Sequence, residues 1–535
     1  MTQPVPPHSS EATRLLCVGV YADDAYRDAV LDELYAHDQR VIAPSLGFDA
    51  ARVLAHALRA WRIGLAWAAL VLVVWLVGFF LTDMLVLALL PGCAMLAARS
   101  RRSRGSVLRW TGRVTFGAGL WLVLYVACFG PAQTSYSPDR YGDESPVLPW
   151  NAMHGWIAVG CLVLTAYCVA LRQWHLDQVL RRDLAPESFA DLARDPAEHV
   201  VSARLQWIRE RIGREQHSPL ILYDMADPFR GMGVLREAWT LTVELRPASG
   251  ARSAAQLDPE EPVGNAWLLD HIKSQLAALR YPAEHGSSKA AGVRLDRLRQ
   301  VEIDECVFLP LEGLRSRDQV PHSPGAFEEH RRAAVEESGE ARRHFLRVRV
   351  GAWREEVVTT VFVRAHTQGG MVTLEVVSCV LNPVRSEFRD ADRAARLPEP
   401  AVLAGRTGRA LARTPAIAGS ALVDVGRTVA WFLRVAVNGG GRRPIQGPAV
   451  SVRELATERQ ASMFQELDAG RYIGTIRERV VNAVRIALLE RDWDTSELDA
   501  RALQLRGDGV LVERSSAPVH GVAVGHGDLP PRSRA

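Results

Sequence analysis

Residues 63–81 read IGLAWAALVLVVWLVGFFL, a stretch without a single charged residue. A helix rises about 1.5 Å per residue and the hydrocarbon core of a bilayer is about 30 Å thick, so about 20 apolar residues are needed to cross it. The stretch therefore predicts a transmembrane helix. The whole chain has 535 residues, of which 48% are hydrophobic and 23% are charged, so we expect a membrane protein with a large soluble part.

A second apolar stretch, 84–98, follows at once and reads MLVLALLPGCAMLAA. It is shorter than a usual span and contains the helix-breaking pair Pro91 and Gly92. Because cytoplasmic flanks are rich in basic residues, arginines on both sides of the two stretches predict an even number of crossings between them. We predict a tight helical hairpin that turns near Asp83, with a re-entrant or interfacial segment 84–98 as the alternative. The flanking arginines are Arg59, Arg62, Arg99, Arg101, Arg102 and Arg104.

Two further apolar stretches, 114–129 and 152–171, predict a third and a fourth transmembrane helix. The segment between them is rich in proline, serine and acidic residues, which is typical of an extracytoplasmic loop, whereas basic residues follow the last stretch. The sequence thus predicts four transmembrane α-helices in the plasma membrane, with both termini in the cytoplasm. None of the four stretches contains Asp, Glu, Lys or Arg, which disfavours a channel or a pump.

Residues 1–60 predict a short cytoplasmic α/β segment. The pattern predicts a strand at 14–22 (RLLCVGVYA), an amphipathic helix at 23–37 and a second short strand at 40–43 (RVIA). No charged and apolar signal-peptide regions can be recognised. Residues 49–62 have a helical pattern and are expected to continue into the first span.

Residues 172–410 predict a cytoplasmic α+β domain. One helix, 265–280, interrupts a series of strands, and Gly369 and Gly370 suit the turn of a hairpin between the last two strands. Strands that pair mainly with their sequence neighbours indicate a mainly antiparallel sheet. The predicted strands, which are rich in β-branched residues or show alternation, are 220–223, 239–245, 301–309, 345–350, 357–365 and 372–381.

Helices dominate the C-terminal part. The region 411–440 predicts an amphipathic helix whose charges, Asp424, Arg427 and Arg434, cluster on one side, so that it lies on the membrane surface or packs against the protein. The C-terminal helical part, 451–512, starts with a capping-box spacing, Ser451 and Glu454, and ends with a short strand at 510–512. We expect residues 515–535 to be disordered. The second helix of this part has an apolar stripe: Ile473, Ile476, Val480, Val484 and Leu488.

The loop ILYDMADPFRGMGV (221–234) is the candidate ligand or partner site. A phosphate-binding loop of the dinucleotide type would need a glycine where Arg236 stands and a helix behind it, but the following residues predict a strand. The alternative is a structural turn shaped by Pro228 and the glycines. The residues that point to a binding loop are Asp224, Asp227, Arg230, Gly231 and Gly233.

Other chemistries lack their sequence signals. The seven cysteines have no CxxC spacing, and all but Lys273 and Lys289 of the 64 basic residues are arginines, nearly balanced by 61 acidic residues. There is no Walker, GxSxG or kinase motif. We therefore predict no cofactor, no metal site and no nucleic-acid partner, and assign no catalytic residue. The pattern also predicts a solvated strand face at Glu302 and Asp304 and surface histidines at His322, His330 and His344.

The four spans, the stretch SPLILYDMADPFRGMG (218–233) and the ending AVSVRELATERQASMFQELDAGRYIGTIRERVVNAVRIALLERDWDTSELDARALQL (449–505) resemble a group of large, uncharacterised bacterial membrane proteins with a cytoplasmic domain. The resemblance extends over most of the chain. It implies a bacterial plasma membrane as the setting and supplies no activity, cofactor or catalytic residue.

Three functional hypotheses follow. The first is a non-enzymatic, membrane-anchored adaptor or sensor, in which the bilayer holds a cytoplasmic domain that binds a protein partner or a ligand, alone or as a homo-oligomer. The second is a membrane-bound enzyme whose site lies between Asp224 and Gly233 and includes residues distant in the sequence. The third, a transporter or channel subunit, is disfavoured by the uncharged spans.

Overall fold

In the computed structural model, long apolar helices adjoin an N-terminal helical layer and a six-stranded sheet. The structure describes residues 6–100, 106–130, 150–199, 202–248, 264–280, 298, 301–314, 317–336, 341–352, 356–396, 414–421, 423–431, 433 and 445–507.

The N-terminal segment is helical, so the predicted α/β segment over residues 1–60 is wrong. The stretch read as a strand forms helix α1 (Glu11–Ala22), and α2 (Asp24–Leu31) follows it. Residues 40–43 form no strand, only a single bridge between Arg40 and Gln446. The apolar run in α1 is buried on nearly every side, from Ala12 to Tyr21, and a fully buried helix and a buried strand have the same apolar pattern.

The first apolar helix, α3 (Ala50–Leu81), starts at Asp49, whose carboxylate accepts hydrogen bonds from the first turn. The chain reverses at Asp83 and Met84, which have left-handed φ angles of 46° and 68°. The predicted turn near Asp83 is therefore confirmed. The segment behind it is a 3-10 helix, Leu85–Leu89, followed by α4 (Leu90–Ser100). Because proline has no N–H to donate, Pro91 is tolerated only in the first turn of an α-helix, and α4 begins one residue before it.

Helices α5 (Ser106–Phe129) and α6 (Ala152–Arg182) contain the predicted third and fourth spans. Together with α3, they are the three helices of the described residues that are long and apolar enough to cross a membrane. The stretch 84–98, predicted as the second span, is a shorter apolar helix. Small residues bring the helices close together, since a Cβ on Gly155 of α6 would lie 2.3 Å from the amide nitrogen of Ala127 in α5.

The six strands coincide closely with the predicted ones. They are β1 (Leu220–Tyr223), β2 (Val234–Glu244), β3 (Val301–Pro310), β4 (Arg343–Ala352), β5 (Val357–Gln368) and β6 (Met371–Leu381). Their order is β1-β3-β4-β5-β6-β2. The pair β1–β3 is parallel and the other four pairs are antiparallel, so the sheet is mixed. The hairpin β5–β6 turns at Gly369 and Gly370, whose φ angles of 58° and 77° suit glycine.

Among the described residues, seven further helices of eight or more residues follow α6, with shorter helical turns between them. One face of the sheet packs against α8 and α12, and the apolar stripe predicted for α12 is buried there. The other face carries a cluster of phenylalanines and the residues that follow β1. A separate core is formed by the N-terminal helices, the N-terminal end of α3, the C-terminal end of α6, and α10. The helices are α7 (Ala203–Glu215), α8 (Asn265–Ala277), α9 (Pro324–Glu336), α10 (Ser386–Arg396), α11 (residues 414–421 and 423–431), α12 (Met463–Glu490) and α13 (Ser496–Gly507).

Helix α11 is the amphipathic helix predicted within 411–440, and it packs against the apolar helices. Ala418 and Ala421 are buried against Ala68, Val71 and Cys93. Arg434, the strand predicted at 510–512 and the tail predicted at 515–535 lie outside the described residues.

Candidate functional site

The candidate loop crosses one face of the sheet, from the end of β1 to the start of β2 at the opposite edge. Two of its apolar side chains hold it there. Phe229 lies against the ring of Phe308, with centroids 5.4 Å apart, and against that of Phe362, at 5.3 Å. Met232 is fully buried in the same cluster. The loop is therefore a packed part of the domain, and its backbone position is fixed.

Gly231 and Gly233 present two backbone amides to the same atom. Both N–H groups donate to Oε1 of Glu454, over 2.9 Å from Gly231 and 3.0 Å from Gly233. Both glycines have φ angles near +92°, a conformation that other residues rarely adopt. A Cβ on Gly233 would also lie 2.4 Å from the carbonyl oxygen of Val380. This geometry makes a small anion-binding pocket of two convergent amides, which the chain's own carboxylate occupies.

Glu454 is half-buried at this pocket. Burial raises the pKa of Glu454, whereas the hydrogen bonds from Gly233 and Gly231 and the charge of Arg230 act in the opposite direction. The predicted capping box is wrong, because Ser451 makes no side-chain cap and the helix that it precedes is a single turn, Val452–Leu455. The Glu454 side chain is directed to the loop, where two amides offer a better hydrogen-bonding site than one helix N-terminus.

A buried arginine fixes the segment that carries Glu454. Arg453 is fully buried, and its Nη2 donates to the carbonyl oxygens of Glu356 and Asn382. Burial lowers the pKa of Arg453 to about 10. The adjacent Val452 lies in the N-terminal core, where its carbonyl oxygen accepts a hydrogen bond from the Tyr26 hydroxyl over 3.2 Å. The single turn therefore joins the N-terminal core to the sheet.

The remaining residues of the predicted site shape the turn. Oδ1 of Asp224 accepts from the amide of Ala226 over 2.9 Å, and its carbonyl oxygen accepts from the amide of Asp227 over 3.0 Å. Asp227 pairs with Nε of Arg230 at 3.1 Å. Of the five predicted residues, the structure thus brings Gly231 and Gly233 to one pocket and uses the other three in the turn beside it. Glu454 was not assigned to this site, because nothing in the local sequence connects it to a loop more than 200 residues away.

A second group of ionisable residues lies between the sheet, α8 and α9. His344 is buried, against the prediction of a surface histidine, because it lies on the inner side of β4 and its Nε2 is 3.1 Å from Oε2 of Glu305. Lys273 and Arg331 pair with the same carboxylate. The hydrogen bond from His344, followed by the contacts with Lys273, lowers the pKa of Glu305 to about 2. The Glu305 carboxylate thus has three partners, His344, Lys273 and Arg331, and these contacts connect α8 and α9 to the sheet.

A buried network of polar side chains lies at the N-terminal end of α3. The Tyr21 hydroxyl is 3.2 Å from Nδ1 of His56, whose Nε2 is 2.9 Å from Oδ2 of Asp195. Nη2 of Arg52 donates to the same oxygen over 2.8 Å. Burial alone would raise the pKa of Asp195, but the hydrogen bonds from His56 and Arg52 hold it well below its ordinary value. All four side chains are buried, and this hydrogen-bond network connects α1 and α3 to the segment after α6.

Within the described part of the chain, no group of three His, Cys, Asp or Glu side chains is arranged to hold a metal ion. No curated protein and no solved structure matches the chain. The family model of the AbeC-like domain matches residues 238–519, more than half of the chain. The match begins within β2, so it includes Glu454 and α11 but not Gly231 and Gly233. The chain belongs to the family of proteins with an AbeC-like domain.

Proposed function

We propose that this chain is an integral protein of the bacterial plasma membrane that works as a membrane-anchored adaptor or sensor. The anchor consists of α3, α5, α6 and the shorter segment 84–98, and both termini lie in the cytoplasm. Support comes from the length and apolar character of the three helices and from the arginines at their flanks, which favour a cytoplasmic position.

The observation that carries the sensor proposal is the contact of Glu454 with the amides of Gly231 and Gly233. Two convergent amides can donate hydrogen bonds to an oxygen of a carboxylate or phosphate group, so a ligand with such a group competes with Glu454 for the pocket. The half-buried carboxylate has lost part of its hydration, which lowers the free-energy cost of exchanging it. In this proposal Glu454 is the resident occupant of a ligand site.

Displacement of Glu454 has consequences on both sides of the single turn that carries it. On one side, Val452 packs in the core shared with Val179 and Leu180 of α6. On the other side, Thr457 forms a bridge with Val384, and the chain then enters α12 at Met463. Occupation of the pocket is thereby linked to both the apolar helices and the first turns of α12.

The first turns of α12 offer the surface for a protein partner. Met463, Phe464 and Leu467 are exposed by 73%, 71% and 58%, respectively, and we name them the α12 apolar surface. Aromatic residues and methionine are enriched in protein interfaces, and a cluster of exposed apolar side chains on a soluble domain marks such an interface. We propose that a cytoplasmic protein binds here and that the state of the Glu454 pocket controls the binding.

The test is photo-crosslinking in cells with benzoylphenylalanine in place of Phe464. The control is the same residue at Leu503, which is also exposed but lies on α13. The proposal predicts a distinct adduct with another protein from position 464 alone, and a change of at least about threefold in its yield when Glu454→Ala is added. Adducts that are absent, that contain only this chain or that form equally from position 503 would contradict it. An independent check is extraction, since an anchored chain stays in the membrane pellet in alkaline carbonate and leaves it in detergent.

A further inference from the structure

The first half of helix α11 lies beside the apolar helices α3, α4 and α6. Ile417, Ser420 and Ala421 line a crevice together with Trp67 and Val71 of α3 and Cys168 of α6. The crevice has room for about one water molecule, so α11 is closely packed there. A Cβ on Gly419 would lie 2.2 Å from the carbonyl oxygen of Cys93 in α4. The first half of α11 therefore lies among the apolar helices.

The second half of α11 ends near Trp61, in the N-terminal half of α3. The ring of Trp431 lies 5.4 Å from that of Trp61 and 5.4 Å from that of Tyr35. From Trp61 to Val71, α3 rises about 15 Å at about 1.5 Å per residue, which is about half of a hydrocarbon core. The described chain on either side of α11 is in the N-terminal layer, since Arg396 donates to the carbonyl oxygen of Leu184 and Gln446 to that of Gln39. The described residues that precede and follow α11 therefore lie on the same side of the apolar helices.

Of the charged residues of α11 that the structure describes, Asp424 is partly buried, whereas the Arg427 side chain is 55% exposed beside its acidic partner. Asp424 lines the crevice that Arg172 also lines, and Arg427 lies 3.4 Å from the carboxylate of Asp28. The outward side carries exposed apolar residues, Val423 and Val429. Helix α3, against which α11 packs, also exposes apolar side chains, among them Leu70 and Val73. An outward side formed mostly by apolar residues fits acyl chains better than water, and Arg427, the exposed charge, is paired with Asp28 of α2.

We infer that α11 is a re-entrant helix whose outward apolar side contacts the acyl chains of the cytoplasmic leaflet. The AbeC-like domain would then contain its own lipid contact, separate from the spans. This inference rests on the proposed membrane anchoring, because it uses α3 as its reference for depth.

The test is the accessibility of spin labels in vesicles of phosphatidylethanolamine and phosphatidylglycerol, with the full chain reconstituted. The labels are placed by Val423→Cys, Val73→Cys and Leu503→Cys, one at a time, in a Cys128→Ser background, because Cys128 is the exposed cysteine. All three positions are exposed in the protein, so that each substitution leaves the packing unchanged. Oxygen, which partitions into lipid, and a water-soluble nickel complex relax the labels.

The inference predicts that the label at 423 resembles that at 73, with oxygen the stronger relaxing agent, and that the label at 503 shows the reverse. A label at 423 that behaves like that at 503, while position 73 is in lipid, overturns the re-entrant helix and leaves the anchor intact. A label at 73 in water overturns the proposed anchor and the inference together. The position Val429→Cys gives a second reading, with a shallower depth than Val423→Cys.

Discussion

At the residue scale, Glu454 is the side chain on which the candidate site depends. Its carboxylate oxygen accepts two amide hydrogen bonds from glycines whose φ angles aim their N–H groups at one point. An unsatisfied buried amide costs more than a satisfied one gains, so the pocket requires an occupant. The occupant is Glu454, which lies on a segment that contacts the N-terminal core on one side and leads into α12 on the other.

Replacing Glu454 with alanine is expected to lower the free energy of unfolding by about 1–3 kcal/mol, because two amides lose their acceptor. Acetate at high concentration should restore part of this loss by entering the vacated pocket, and it should leave the unaltered chain unchanged. Denaturant unfolding of the detergent-solubilised chain measures both effects. The matched control is Glu312→Ala, at an exposed carboxylate outside the pocket. Equal behaviour of the two variants in acetate would contradict the pocket.

The pH dependence of stability is expected to differ between two carboxylates. The folded-state pKa of Glu305 is lowered to about 2, so its contribution is present above the unfolded pKa of about 4.5 and is lost as the pH falls toward 2. The loss amounts to at most about 3 kcal/mol. Burial raises the pKa of Glu454, so its contribution has the opposite sign and declines as the pH rises. Unfolding of Glu305→Gln should show less acid destabilisation than the unaltered chain, and an unchanged acid limb would refute the assignment.

At the element scale, the loop between β1 and β2 and the turn between β5 and β6 use glycine for different reasons. Gly370 needs only its φ angle of 77°, with open space around the position of a Cβ. Gly233 needs both its φ angle of 93° and close contact with Val380 in β6. The loop crosses the sheet in contact with the strands, and a side chain at Gly233 would push it away from β6.

We expect Gly233→Ala to lower the free energy of unfolding by about 3 kcal/mol, because left-handed strain and a backbone clash add together. Gly370→Ala should cost about 1 kcal/mol, since it adds the strain alone. Thermal or denaturant unfolding of the two variants isolates the clash as their difference. Equal losses would show that β2 and β6 can separate at this point without cost.

At the scale of the whole molecule, buried charges join parts that are distant in sequence. Arg14 in α1 pairs with Asp392 in α10 at 2.8 Å, and Arg52 in α3 pairs with Asp195 behind α6 at the same distance. These pairs lie in or beside the core that the apolar helices share with the N-terminal helices. Helices α1 and α10, and likewise α3 and the segment after α6, are thereby connected by groups that cannot separate without exposing an unpaired charge.

Replacing Asp195 with alanine is expected to lower the free energy of unfolding by about 3–5 kcal/mol, because Arg52 and His56 lose their buried acceptor. The double variant Arg52→Met/Asp195→Leu should recover most of the loss, since it removes the charge as well as its partner. The control, Asp390→Ala, removes a pair with Arg393 at the exposed surface and should change stability by less than about 0.5 kcal/mol. Denaturant unfolding compares the three, and an Asp195 variant as mild as the control would contradict the proposed connection.

Most elements could be predicted from the sequence where a local pattern of residues distinguishes a strand from a helix. The six strands followed from their β-branched content and alternation, and the stripe of α12 from its helical spacing, because these are properties of short stretches of sequence. The three long apolar helices followed from length and composition, which are local properties. Helix α1 was read as a strand because it is surrounded on all sides, and burial without a polar side leaves no period to recognise.

The sequence by itself determined the six strands, the three long apolar helices and the glycine-containing loop. Only the tertiary structure decided that Glu454 accepts hydrogen bonds from the amides of Gly231 and Gly233, that Glu305 contacts His344 and Lys273, and that α11 packs among the apolar helices. The physical reason is distance along the chain. Periodicity records which side of an element is buried, whereas the partner of a carboxylate or of an apolar side depends on how distant segments are brought together.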